Sequence, residues 1–155
     1  MIKKICHDES NECLALMKWA RLIKLDNGLM LSDALYHIPN GGKRNATEAG
    51  IMNGEGVKAG MPDYHLPMAS RTDNHIGLYI EMKKPTAIPS AVKLVQRTRA
   101  IALRECDNSV QFARTWEVAA FKICEYLAIK HNFTMPKDEA IWETNVNRLI
   151  QEAIA

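Results

Sequence analysis

The sequence has no run of about 18 apolar residues, so nothing in it reads as a membrane-spanning helix. Residues 1–9, MIKKICHDE, lack the apolar stretch of a signal peptide, so no targeting segment is expected. The four cysteines, Cys6, Cys13, Cys106 and Cys124, include no C-x-x-C pair, and no Cys/His cluster has zinc-finger spacing. Free, mostly buried thiols and a cytoplasmic location are the expectation. Aromatic residues are scarce at 6%, and Trp116 and Tyr126 fall among apolar helix positions, which predicts core packing rather than stacking on a base. Neither sign of charge dominates: 20 basic and 18 acidic residues give +2, which permits a nucleic-acid binder only where the basic groups cluster. There is no internal repeat and no low-complexity segment.

What remains is an ordinary globular composition, 47% hydrophobic and 25% charged over 155 residues. One domain is predicted, burying roughly 70% of its unfolded surface. Residues 9–24 have helical apolar spacing (Leu14, Leu16, Met17, Ile23), with Asp8 or Ser10 as cap. Asn27-Gly28 marks a turn, and residues 35–38 a short strand ended by Pro39-Asn40-Gly41-Gly42. A short helix is predicted over 45–56. Residues 63–68 and 76–82 read as strands, joined as a hairpin through the polar loop 69–75. A helix is expected over 90–105, with Val92, Val95, Ala102 and Leu103 inward. A strand follows over 110–113, a helix over 116–130, and a last helix after Met135-Pro136. Helices separate some strands and not others, which predicts an α/β fold, a mixed sheet flanked by helices.

The chemistry concentrates in Gly60-Met61-Pro62-Asp63 and Glu81-Met82-Lys83. Positions i and i+2 on a strand share a face, so Glu81 and Lys83 line one site while Met82 turns into the core. In a hairpin, Asp63 meets Glu81 near the open end. Two converging carboxylates repel unless a cation sits between them, and a hard divalent ion with oxygen ligands is the common solution. The Met82 backbone carbonyl adds a further oxygen, and Lys83 supplies a fixed charge or a proton-handling amine. Such a set polarises a phosphate and stabilises developing charge. Taken alone, Glu-x-Lys is a weak signal, because an exposed pair of this kind contributes little. Pro62-Asp63 a hairpin's length upstream makes it strong.

Pro62-Asp63 followed by Glu81-x-Lys83 resembles the PD-(D/E)XK nuclease superfamily, and the wider text resembles its VRR-NUC branch. The matching stretches are HIPNGGKR (37–44), GVKAGMPDYHLP (56–67) and GLYIEMKKP (77–85), then Gln96 opening a helix. The likeness spans residues 9–127. It implies a restriction-endonuclease-like fold over a nuclease domain of residues 1–132, leaving 133–155 as a helical extension on the core or on a dimer partner. It implies Asp63 and Glu81 as ligands of Mg²⁺ or Mn²⁺, Lys83 as catalytic lysine and Gln96 as accessory glutamine. The family also places a glutamate on the first helix, four residues before a glutamine. Here that glutamate is Glu9, a further ligand by the same resemblance, but the glutamine position holds Cys13. Glu12, one turn away on the same face, is the alternative.

The loop Asn40, Gly41, Gly42, Lys43 and Arg44 offers close backbone approach and two charges to a DNA phosphate. Further backbone contacts are expected from Lys58, Lys93 and Arg97, with Arg71, Lys84, Arg99 and Arg104 also available. His37 is read as a strand residue near the site, not a ligand. Stand-alone members of the branch come largely from bacteria and their viruses, and some resemble Holliday-junction resolvases working as homodimers. The resemblance therefore implies a structure-specific endonuclease acting on branched DNA. The alternatives are a nuclease preferring flaps, nicks or duplex, and a non-catalytic DNA-binding protein on the same fold. A small interaction domain is the weakest reading.

Overall fold

The computed structural model describes residues 8–39 and 46–154. Helix α1 spans Glu9–Ala20, and Asp8 caps it by accepting the Asn11 N–H at 3.0 Å. The helix stops four residues short of the expected end. Residues 21–30 instead close into a tight loop, with Gly28 at φ +88° and a bridge between Lys24 and Met30. One short helix escaped sequence analysis: α2, Leu31–Ala34, where the Asp33 carboxylate accepts the Met30 N–H.

Among the described residues the sheet has four strands, β1 Tyr36–His37, β2 Tyr64–Leu66, β3 Gly77–Met82 and β4 Asn108–Ala113, side by side in chain order. The first two pairings are antiparallel and β3–β4 is parallel, so the sheet is mixed as expected. β2 is shorter than its sequence run because Pro67 has no N–H to continue the ladder. Helix α3, Ala46–Gly54, follows β1 and buries none of its residues.

Helix α4, Leu94–Glu105, makes the crossover from β3 to β4. It begins later than the expected 90–105. A 3₁₀ turn at Pro89–Ala91 comes first, and then Val92 and Lys93 are extended. This break lets Val92 plug the core as a loop residue with no exposure. The inward stripe of α4 is Ala100, flanked by Ile101 and Leu103, while Val95, expected inside, is 47% exposed. Helix α5, Trp116–Leu127, ends at Ala128 with φ +54°. Helix α6, Lys137–Glu152, closes the chain.

Strand alternation divides the side chains between two cores. Leu66, Leu78, Ile80 and Met82 face α1, α2 and α5. Val110 and Phe112 face the other way, against Ala100 of α4 and Trp142, Val146 and Ile150 of α6. The C-terminal helix thus packs on the core of its own chain. Among the described cysteines, Cys124 is buried, Cys13 half-buried and Cys106 exposed just beyond α4. No described helix is long and apolar enough to cross a membrane.

Candidate active site

The β2–β3 register pairs Tyr64 with Ile80, which sets Asp63 beside Glu81 at the next step. Asp63 Oδ2 accepts the Met82 N–H at 2.7 Å, so the aspartate is locked to the strand that carries Glu81 and Lys83. Gly60 makes this approach possible. Its φ is +74°, and a Cβ there would lie 2.6 Å from the Val95 carbonyl oxygen. Only glycine lets the Gly60-Met61-Pro62-Asp63 loop close on the start of α4.

Glu81 is 3% exposed and Lys83 9% exposed, and their charged ends meet at 2.7 Å. Met82 between them has no exposure, as the alternation predicts. From the first turn of α4, Gln96 donates its Nε2–H to Glu81 Oε1 at 2.5 Å. Its Oε1 accepts the Lys93 N–H at 3.0 Å. The late start of α4 is what aims Gln96 at β3.

Glu9 enters from α1, half-buried on the wall of the same cleft. The cleft measures about 480 Å³ and is lined by Glu9, Asp63, Glu81, Lys83, Lys93 and Gln96 among others. Glu12 goes elsewhere. It is 6% exposed and accepts the Trp116 N–H at 2.7 Å, tying α1 to the first turn of α5. Of the two helix carboxylates, only Glu9 faces the cleft.

The electrostatics follow from crowding. Burial, followed by the neighbouring Asp63 charge, pushes the Glu81 carboxyl up to about 8, while the Lys83 ammonium pulls it back. Burial also raises Asp63, against the lowering effect of the Met82 N–H and Lys83. Glu9 is raised by burial, with Lys83 opposing. Three carboxyl groups thus crowd Lys83, the lysine that acts on all of them. Among the described residues, no three His, Cys, Asp or Glu side chains are gathered into a ready-made cage. The donor set is open, which is how Mg²⁺ is usually held, by one or two carboxylates with the rest left to water and phosphate.

The basic residues divide. Lys58 and Lys93 are exposed, and Lys93 sits on the cleft wall. Arg97, expected on DNA, turns instead to α6, where it donates to the Leu149 carbonyl at 3.3 Å and its Nε is buried without a partner. Arg104 is also drawn inside, donating to the Val110 carbonyl and to Asn147. The helical spacing was real, but its inner face met α6, which sequence spacing alone does not reveal. Arg71 pairs with Asp26. Asn40, Gly41, Gly42, Lys43 and Arg44 lie outside the described residues.

Ser10, Cys13 and Val95 also line the cleft, places the sequence did not announce. Cys13 carried a signal, four residues after Glu9 on one helix face. Burial first of all pushes its thiol up to about 11, so it is a protonated wall and not a thiolate. His37 lines the cleft as expected.

A mixed α/β sheet whose hairpin brings Pro62-Asp63 against Glu81-Met82-Lys83 defines the restriction-endonuclease-like class. No protein-family profile matches the chain, and no curated protein matches it significantly. A solved structure described as a VRR_NUC domain protein does match, with a TM-score of 0.66 and 26% identity, over 79% of this chain and 89% of that one. The chain has the VRR-NUC fold, a nuclease fold.

Proposed function

We propose that the chain is a metal-dependent, structure-specific DNA endonuclease that hydrolyses phosphodiester bonds in branched DNA, with four-way junctions as the leading substrate. The observation that carries this reading is the meeting of Asp63, Glu81, Lys83 and Gln96 in one cleft of a VRR-NUC fold. Asp63, Glu81, Glu9 and the Met82 carbonyl are the donors for Mg²⁺ or Mn²⁺. The surplus of buried carboxyl over lysine is what a divalent cation balances. When bound, the cation supplies Lewis-acid polarisation of the phosphate and lowers the pKa of attacking water.

The chain's own groups do the rest. Gln96 and Lys83 both contact Glu81 Oε1 and so fix the carboxylate. Lys83 holds positive charge where negative charge develops on the phosphate oxygens, and its ammonium can hand a proton to the leaving oxygen. Glu9, its carboxyl raised above the ordinary value by burial, lines the same cleft. Lys58 and Lys93 track the backbone by charge, so binding is salt-sensitive and reads shape rather than sequence. A homodimer would present two such clefts to the two symmetric scissile phosphates of a junction. A bacterial or phage setting, with recombination or repair as the purpose, fits that substrate.

The test is cleavage of labelled four-way junction, flap, single-stranded and linear duplex DNA with Mg²⁺ or Mn²⁺, beside Lys83→Ala. Symmetric junction nicks that vanish in the variant are expected, with light scattering near twice the chain mass. Preference for flaps, nicks or duplex would keep the nuclease and remove the junction. Binding of DNA without cutting would replace the enzyme with a non-catalytic binder.

A further inference from the structure

Three rings stand in a row on the sheet beside the carboxylates. The register pairs Tyr36 with His65 and His65 with Tyr79. Directly opposed residues share a face, so the row crosses β1, β2 and β3. His65 and Tyr79 stack at 4.2 Å with planes 12° apart. Tyr36 meets His65 edge-on at 5.4 Å, and its hydroxyl lies 2.7 Å from His65 Nδ1. Gly77 leaves room for this arrangement, since a Cβ there would come within 3.2 Å of His65 Nε2. Tyr79 is half-buried against the α4–α6 core, His65 is half-buried, and Tyr36 at the sheet edge is 49% exposed. The outermost ring is therefore accessible and held in place from behind.

The row lies one strand step from the cleft carboxylates. Tyr79 precedes Glu81 by two positions and His65 follows Asp63 by two, a strand step of about 6.7 Å on the same side. That is about one nucleotide's reach along a DNA strand. The row contains no lysine or arginine, so it suits the flat face of a base and not a phosphate. A continuous duplex hides its base faces within the stack. A branch point, flap or single strand offers them, and aromatic side chains take them by stacking.

We propose that Tyr36, positioned by His65 and Tyr79, is a stacking platform for an unpaired base next to the scissile phosphate. The inference rests on the nuclease reading and supplies its substrate preference: distorted or unpaired strands over continuous duplex.

The test uses binding, so it does not depend on turnover. A branched DNA carries 2-aminopurine at an unpaired position beside the branch and is titrated with the Lys83→Ala protein. Stacking should quench the fluorescence. Adding Tyr36→Ala should abolish the quench and weaken binding about tenfold, whereas Tyr36→Phe should retain both. Tyr36→Leu, which keeps apolar bulk without the ring, should behave as Tyr36→Ala and guards against a folding defect. Unchanged quenching and affinity in Tyr36→Ala and Tyr36→Leu would overturn the platform while wild-type cleavage still upholds the nuclease. Loss of a dimer by light scattering in Tyr36→Ala would assign the row to a contact between copies and overturn it as well. Failure of the wild type to bind or cut any DNA would remove both readings.

Discussion

Lys83 meets Glu81 at the C-terminal end of β3, and Lys122 of α5 meets Glu143 of α6 beside the β4 edge. Both lysines are nearly enclosed, at 9% and 7% exposed. Their surroundings differ. Around Lys122 the other hydrogen-bond partner is neutral: Gln111 accepts from its ammonium at 3.4 Å and itself donates to the Ser109 hydroxyl at 2.9 Å. The nearby Glu139 is engaged by Arg114. Burial lowers the Lys122 pKa and Glu143 holds it up; Glu139 adds to Glu143 while Arg104 opposes, so two cations face two carboxylates. Around Lys83 the count is unequal, since Asp63 and Glu9 crowd the same space. The matched pair is a fastener between helices. The unmatched one suits the proposed cation, which would balance the surplus carboxylates.

The largest expected effect is on chemistry at the unmatched pair. Lys83→Ala should lower the cleavage rate by about 10²-fold or more, the scale of losing one transition-state charge stabiliser, with DNA binding retained. A normal rate would break the comparison. At the matched pair the damage should be structural. Lys122→Ala leaves Glu143 uncompensated and should cost about 3–5 kcal/mol in urea melts, whereas Lys122→Met with Glu143→Leu should recover most of it. Cleavage per folded molecule should be unchanged in the double variant.

The pH response should separate the pairs next. The folded-state pKa of Glu81, about 8, lies above its ordinary 4.5. The folded chain then holds a proton that the unfolded chain releases, so this group's contribution is full below pH 4.5 and is lost as pH rises toward 8. The metal-free melting temperature should fall across that window, and Glu81→Gln should flatten the fall. Mg²⁺, which binds the ionised form, should offset it at pH 8.

A smaller effect divides the two α1 carboxylates. Glu12→Ala should cost about 1 kcal/mol by freeing the Trp116 N–H, with cleavage intact, while Glu9→Ala should slow cleavage and leave stability nearly unchanged. Smallest is the salt dependence of DNA binding. Lys93→Ala should reduce the logarithmic salt slope by about 1, and Arg97→Ala should not change it.

These contrasts mark what the sequence reveals and where it stops. The Asp63–Glu81–Lys83 group was legible because period-2 alternation and a hairpin are local rules that place side chains without further knowledge. The mixed sheet was legible for the same reason. The division of 90–105 was not, because Val92 leaves the helix to fill a cavity that only α6 completes. The fate of Arg97 and Arg104 depended on the same distant helix. Glu12 looked equivalent to Glu9 on a helical wheel until α5 presented an N–H to it. The Lys122–Glu143 pair spans 21 residues and two helices, with no spacing rule to announce it.

The most direct measurement is isothermal titration with Mn²⁺ at pH 8 on the wild type, Glu81→Gln, and the Lys122→Met/Glu143→Leu double variant. The account predicts binding to the wild type and the double variant, with proton release, and none to Glu81→Gln. Silence in the wild type, or undiminished binding to Glu81→Gln, would contradict the claim that the unmatched pair is the metal centre.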